Sequence, residues 1–369
     1  MASVTATQTY TTIELLTPNG PEFRRVSTAP ARPPRADEIP LIDLTDIDGD
    51  AKARQQIAEE VRQAAENTGF FYIRNHGIDE TLIQAALHQT KAFFAQPLDV
   101  KEKISSENTG PGMGYRAVNS TQINRTESRD RKETFAIQYD TRYDPQNSDS
   151  LPRSPDQDRT AKDHDLIWAS TQHLPSLRST TIAFWRARLQ LARKLVRIFA
   201  VALALPEDYF DSLTTQPGAD AVHIHYPAAA AAAPNSPSAV HKPDDDVGIG
   251  SHTDIQLLTL LWQDDSGGLQ VLSRSDEWLD ARPVDGTLVV NVGDFLQRLS
   301  NDRFRSTVHR VYNRTSKSRF SMPFFFGFNA DGICEVVPSC VDDKNPAKYE
   351  PISCGEWRRQ RFALISKPN

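Results

Sequence analysis

From residue 221 to residue 328 the chain breaks into short β-rich runs separated by turn residues. The runs are His223–Tyr226, Gln256–Trp262, Gly268–Val271, Thr287–Val292, Ser306–Tyr312 and Arg319–Phe328. The runs are short and β-rich, and they alternate with turns. Strands this short and this evenly punctuated fold as a sandwich or jelly roll. Gly267-Gly268 reads as a hairpin turn, and Gly293-Asp294 as a tight turn closing Thr287–Val292.

Upstream the texture is different. Residues 1–38 are polar and end near Pro30, Pro33 and Pro34, which suits a tail or an arm laid over the body. Ile39–Leu44 reads as a short strand, and 51–68 as a helix with Ile57, Val61 and Ala64-Ala65 on one stripe. Phe70–Ile73 reads as a buried strand. Asp79 is placed to cap a helix carrying Leu82, Ile83, Ala86, Leu87, Phe93 and Phe94. Residues 104–125 read as a loop, Lys132–Ile137 as a strand, 140–165 as a polar surface excursion and 176–203 as a long helix. The Ala228–Ala233 run, with Pro234, Pro237, Pro243 and three Asp after it, reads equally as a substrate lid or a solvated spacer. Cys354–Leu364 reads as a terminal helix. The chain therefore divides into an arm (1–38), a helix and strand region (39–215), a β core (216–350) and a terminal helix and tail (351–369).

The formal charge is −6 over 369 residues, which argues against a general nucleic-acid or anionic-membrane binder. The three Cys, at 334, 340 and 354, fit neither a disulfide framework nor a zinc finger and suit a reducing compartment. No apolar run approaches the roughly 20 residues of a membrane span, and the start has no secretory pattern. The expectation is a soluble, cytoplasmic protein.

The chemistry is concentrated in Gly250-Ser251-His252-Thr253-Asp254. In an extended strand, residues two apart share a face, so one imidazole and one carboxylate can converge. His309 is the best candidate for a third ligand at long range. Two His and one carboxylate with open positions form the facial triad of non-haem Fe(II) oxygenases. Arg319 and Ser321 are also two apart and share a face. A guanidinium fork and a hydroxyl suit capture of a carboxylate.

Taken together, His252-Thr253-Asp254, Gly267-Gly268-Leu269, Asn291-Val292-Gly293-Asp294, His309-Arg310-Val311 and Arg319-Phe320-Ser321 resemble the 2-oxoglutarate/Fe(II)-dependent dioxygenases of the isopenicillin N synthase-like type. The earlier Ile39–Asp43 and Gly69–Gly77 stretches resemble that family's N-terminal region. The resemblance runs from about residue 39 to about 365. It implies an α+β fold with a mainly β core, a double-stranded β-helix (a distorted jelly roll) with N-terminal helices packed around it. It implies Fe(II) held by His252, Asp254 and His309, and 2-oxoglutarate held by Arg319, Ser321 and Tyr226. Ile224 stands where many relatives have Asn. O2 would be the second co-substrate, with ascorbate available to keep the iron reduced. The implied activity is oxidation of an unactivated C–H of a small molecule, by hydroxylation, desaturation or oxidative cyclisation, in specialised-metabolite biosynthesis. Family geometry points Met113, Tyr115, Phe135, Phe326 and Phe328 toward the substrate. The expected state is a monomer or weak homodimer. Two alternatives stay open: an iron oxidase of the same fold that does not use 2-oxoglutarate, and a non-catalytic small-molecule receptor.

Overall fold

The structure, a computed structural model, describes residues 9–17, 20–147, 155–228, 247–313 and 315–366. In chain order it contains β1 (Tyr10–Thr17), β2 (Gly20–Ser27), β3 (Leu41–Asp43), α1 (Ala51–Asn67), β4 (Phe70–Arg74), α2 (Glu80–Phe94), α3 (Leu98–Glu102), β5 (Gly114–Arg116) and β6 (Glu133–Ile137). Then follow α4 (Pro155–Ser170), α5 (Leu177–Ala202), β7 (Pro217–Tyr226), β8 (Ile249–His252), β9 (Leu258–Gln263), β10 (Leu269–Leu272), β11 (Trp278–Asp280) and β12 (Thr287–Val292). The chain ends with α6 (Asp294–Leu299), β13 (His309–Val311), β14 (Arg319–Asn329), β15 (Ile333–Cys334), β16 (Ile352–Ser353) and α7 (Cys354–Ser366).

Two sheets make the core. One has the order β3-β4-β12-β9-β14-β7-β6-β5, the other β11-β10-β13-β8. Strands alternate their side chains between two faces, so each long strand of the larger sheet serves two cores. Phe70, Tyr72, Ile224, Tyr226 and Val289 meet Leu269, Val271, Leu279 and Val311 of the smaller sheet. The alternate residues Phe71, Ile73, Leu258, Leu260, Val290, Met322 and Phe324 meet the helices. This is the jelly-roll core that the short strands implied.

The helices cover the outer face for local reasons. The Asp50 carboxylate accepts from Ala53 N at 2.8 Å and starts α1. Its stripe of Ile57, Ala58, Val61, Ala64 and Ala65 is buried. Gly69 ends the turn at φ +69, where a Cβ would lie 1.9 Å from Arg305 O, so no other residue fits. On α5, Phe184, Trp185, Leu189, Leu195 and Phe199 are fully buried. Arg188 on the same face is also fully buried. Its Nη1 donates to Met322 O at 3.1 Å, and its guanidinium lies 3.9 Å from the centre of the Phe184 ring. Burial pulls its pKa down to about 9.

Several local expectations change. The polar arm holds a hairpin, β1 paired with β2, anchored by Ile13 and Val26 against Leu272, Trp278 and Val308. The polar excursion contains α4, with Ala161, His164, Ile167 and Trp168 buried. Gly267-Gly268 is no hairpin turn, because β9 and β10 belong to different sheets. The pair instead carries the chain across the sandwich. A Cβ on Gly268 (φ +92) would lie 2.1 Å from Tyr312 O. Gly293-Asp294 opens α6. Most of the possible lid lies outside the described residues. The three cysteines are free and buried.

Candidate metal centre

β8 and β13 lie side by side and antiparallel, with His252 directly opposite His309. Their ring centroids are 4.2 Å apart. β8 ends at His252, so Asp254 reaches the same point from the turn beyond the strand rather than from the strand itself. Its Oδ1 lies 3.8 Å from Nε2 of each histidine. One ligand atom from each of the three residues falls within 4.8 Å of the others.

Each ligand is oriented by a partner. His252 Nδ1 donates to Gly250 O at 2.8 Å, and His309 Nδ1 to Thr307 O at 3.1 Å. Both Nε2 lone pairs are thereby aimed at the shared point. Asp254 Oδ2 accepts from Thr259 Oγ1 at 2.6 Å and from Asn291 Nδ2 at 2.7 Å, which leaves Oδ1 for a metal. Burial pulls His252 down to about 4, helped by the neighbouring His309. Burial alone would push the Asp254 carboxyl up, but His309, His252 and the two hydrogen bonds overcome it and hold it below the ordinary carboxylate range. Neutral imidazoles beside an ionised carboxylate are the donor set that Fe(II) takes. Neither Thr259 nor Asn291 is assigned a role by local sequence pattern, although Asn291 lies in the Asn291-Val292-Gly293-Asp294 motif. Each is a polar residue flanked on both sides by apolar ones within its strand.

The strand bearing His252 is itself clamped. Ser251 Oγ donates to Glu127 Oε1 at 2.7 Å, Asn124 Nδ2 to Ser251 O at 3.0 Å, and Gly250 N to Asp130 Oδ1 at 3.2 Å. On the other side Thr253 Oγ1 donates to Asp294 Oδ2 at 3.1 Å, and Arg361 of α7 pairs with the same carboxylate at 2.7 Å.

A second polar group faces the sandwich interior. Arg319 pairs in register with Tyr226, and its guanidinium lies 4.7 Å from the centre of that ring. Arg319 Nε donates to Gly267 O at 2.6 Å, and Nη2 to Gln263 Oε1 at 3.0 Å. Nη1 is buried and has no hydrogen-bond partner among the described residues. Ser321 is on the same face and bonds the Tyr226 hydroxyl. Burial pushes that phenol up, against the pull of Arg319. A buried guanidinium nitrogen without an acceptor is costly, and a carboxylate would satisfy it.

The residues expected to face substrate do not. Phe135 lies 4.6 Å from Phe93 and 6.4 Å from Trp168, and Phe328 lies 5.1 Å from Phe210. The Tyr115 hydroxyl donates to Glu133 Oε2 at 2.7 Å. Met113 and Phe326 are buried in the same helix-side cluster. On β14 the reason is the pleat: Arg319 and Ser321 face inward, so Phe326 and Phe328, at odd steps from them, face the helices. His223 and His225 also turn outward, to Thr90 and Glu133.

A two-sheet core with a His-x-Asp…His cluster at one end of the smaller sheet defines a non-haem Fe(II) oxygenase. A family profile described as the 2OG-Fe(II) oxygenase superfamily matches residues 222–328, and one described as the N-terminal region of non-haem dioxygenase in morphine synthesis matches residues 39–157. A Metarhizium rileyi protein named 2-oxoglutarate-Fe(II) type oxidoreductase ppzC is 38% identical over 364 residues, 98% of this chain and 97% of its own. The similarly named hxnY of Emericella nidulans is 33% identical, covering 90% of each chain. The crystal structure of full-length Neurospora crassa T7H with alpha-KG superposes with a TM-score of 0.72 at 27% identity, over 91% of this chain and 99% of that one. The chain belongs to the 2-oxoglutarate/Fe(II)-dependent oxygenase superfamily. It is an enzyme whose iron triad is His252, Asp254 and His309. Among the described residues no helix is long and apolar enough to cross a membrane.

Proposed function

We propose that Arg319, Ser321 and Tyr226 hold the far carboxylate of 2-oxoglutarate, and that the enzyme oxidises a C–H bond of a small molecule in specialised metabolism. The observation carrying the first part is the buried Nη1 of Arg319, which has no hydrogen-bond partner among the described residues. Gln263 and Gly267 fix two other nitrogens of the fork, so the free one keeps a set direction. When bound, iron and 2-oxoglutarate supply the oxidising chemistry, consuming O2 and releasing succinate and CO2. The chain's own part is positional. Thr259 and Asn291 hold the Asp254 carboxylate with one oxygen free, and the Gly250 and Thr307 carbonyls fix both imidazoles. The apolar walls of Ile224, Val222, Leu261 and Val289 exclude water from the interior. The protein works as a cytoplasmic monomer or weak homodimer, without nucleic acid.

Anaerobic addition of Fe(II) and then 2-oxoglutarate tests the reading. A weak visible charge-transfer band that needs both additions is expected. In Arg319→Ala it should appear only at about 10- to 100-fold higher 2-oxoglutarate. Bound iron with no band would move the assignment to an oxidase that does not use 2-oxoglutarate.

A further inference from the structure

We infer that Arg116 recognises a carboxylate on the substrate, which makes the substrate a small organic acid; this rests on the oxygenase reading above. Arg116 ends β5, the outermost strand of the larger sheet. It pairs with Thr134, Thr134 with Ile224, and Ile224 with Ser321. Directly opposed residues share a face, so Arg116 stands on the inward face with Ile224 and Ser321. Tyr115, one step back, points to the helices. β5 lies three strands from β14, about 14 Å at the usual inter-strand spacing.

Arg116 is half-buried and makes no hydrogen bond or ion pair among the described residues. Burial lowers its pKa and no acid offsets that. The acids nearby in the chain are already engaged. Asp130 takes Lys132 at 2.9 Å, and Glu127 takes Ser251. Glu133 points to the opposite face, to Lys101, Tyr115 and His225. Arg116 is thus a surplus positive charge on an inward face. Its location relates it to the iron. The chain leaves the sheet at Arg116, binds Gly250 and Ser251 through Asn124, Glu127 and Asp130, and returns at Glu133. The same segment therefore holds the metal-bearing strand and presents the guanidinium. The far carboxylate of 2-oxoglutarate is already provided for by Arg319, so a carboxylate at Arg116 belongs to another molecule. A planar fork selects a carboxylate over the isosteric amide, which would bring N–H groups against N–H groups.

The experiment uses the full chain loaded with Fe(II) and 2-oxoglutarate and a panel of aromatic and alicyclic monocarboxylic acids, each paired with its primary amide. Succinate release is the readout. Acids should stimulate turnover and their amides should not. Arg116→Ala should raise KM for the best acid about 10- to 100-fold and keep kcat within about threefold, and Arg116→Lys should recover part of the loss. The charge-transfer band should be unchanged in both variants. Amides as effective as acids, an unchanged KM in Arg116→Ala, or no acid engaging at all would overturn the inference. A wild-type protein without the band would defeat the co-substrate reading alone. Acid binding to the iron-loaded protein, followed by tryptophan fluorescence in wild type and Arg116→Ala, then decides Arg116 separately.

Discussion

The two faces of the eight-stranded sheet are built from alternate residues of the same strands, yet they share almost no character. The face toward the helices is mainly apolar: Phe71, Phe135, Leu260, Phe324 and Phe328 pack against Trp185, Leu189 and their neighbours, and its polar His223, His225 and Glu133 bond to Thr90, to Lys101 or to each other, away from the metal site. The face toward the four-stranded sheet places Thr259, Gln263, Asn291, Arg319 and Ser321 among aliphatic side chains, and each of the first four is tied to a partner at the site. One face supplies packing energy and the other holds chemistry. The pleat keeps them one residue apart in sequence and on opposite sides in space.

Substitutions should therefore separate cleanly by face. The largest effect belongs to the inner side: Asp254→Ala should reduce iron-dependent succinate release to background while the circular dichroism spectrum stays native. Retained turnover would break the assignment. On the outer side, Phe324→Ala should cost about 3–5 kcal/mol in denaturant unfolding, with kcat per iron-loaded molecule unchanged. A comparable loss of kcat would show that the two faces are coupled. Asn291→Ala and Thr259→Val should each weaken iron about 10- to 100-fold by freeing the ligand carboxylate, measured by competition with a chelator.

The outer face should also give a pH dependence. Burial pushes His223 down to about 3 from an ordinary 6.5. Above pH 6.5 the imidazole is neutral in both folded and unfolded chains and has no effect. As pH falls from 6.5 toward 3, the unfolded chain takes up a proton that the folded one refuses. Stability should drop by up to about 1.4 kcal/mol per pH unit. His223→Gln should flatten that part of the curve in urea titrations between pH 7 and 4, and equal slopes would remove His223 from the account.

The sequence exposed those features that local pattern controls. Strands β9, β12 and β14 were visible because short apolar runs between turn residues have few other uses, and His252 and Asp254 because His309-Arg310-Val311 and Arg319-Phe320-Ser321 follow them in a family order, the His-x-Asp pair alone being a weak signal. The β1–β2 hairpin was not visible, since its strands mix polar and apolar residues and its buried Ile13 and Val26 are held by Leu272, Trp278 and Val308 far along the chain. Helix α4 was hidden by its charges, because its buried stripe of Ala161, His164, Ile167 and Trp168 has only one large aliphatic residue. The misplaced Phe326 and Phe328 could have been avoided: counting from Arg319 along one strand already sends them to the other side. Met113, Tyr115 and Phe135 needed the β5–β6–β7 register, which no local pattern contains.

The pairing of His252 with His309 also bears on how long the protein lasts. Those residues sit at the adjoining ends of a four-residue and a three-residue strand whose register is irregular at that point. A metal bridging them, with Asp254, closes a long loop of chain that short strands hold only weakly, much as a cross-link would. Because iron binds the folded site, occupancy at a hundred times the dissociation constant adds about 2.7 kcal/mol to stability. Iron supply thus governs the lifetime of the β core as well as its turnover, and an iron-starved cell would hold fewer copies of the enzyme as well as slower ones.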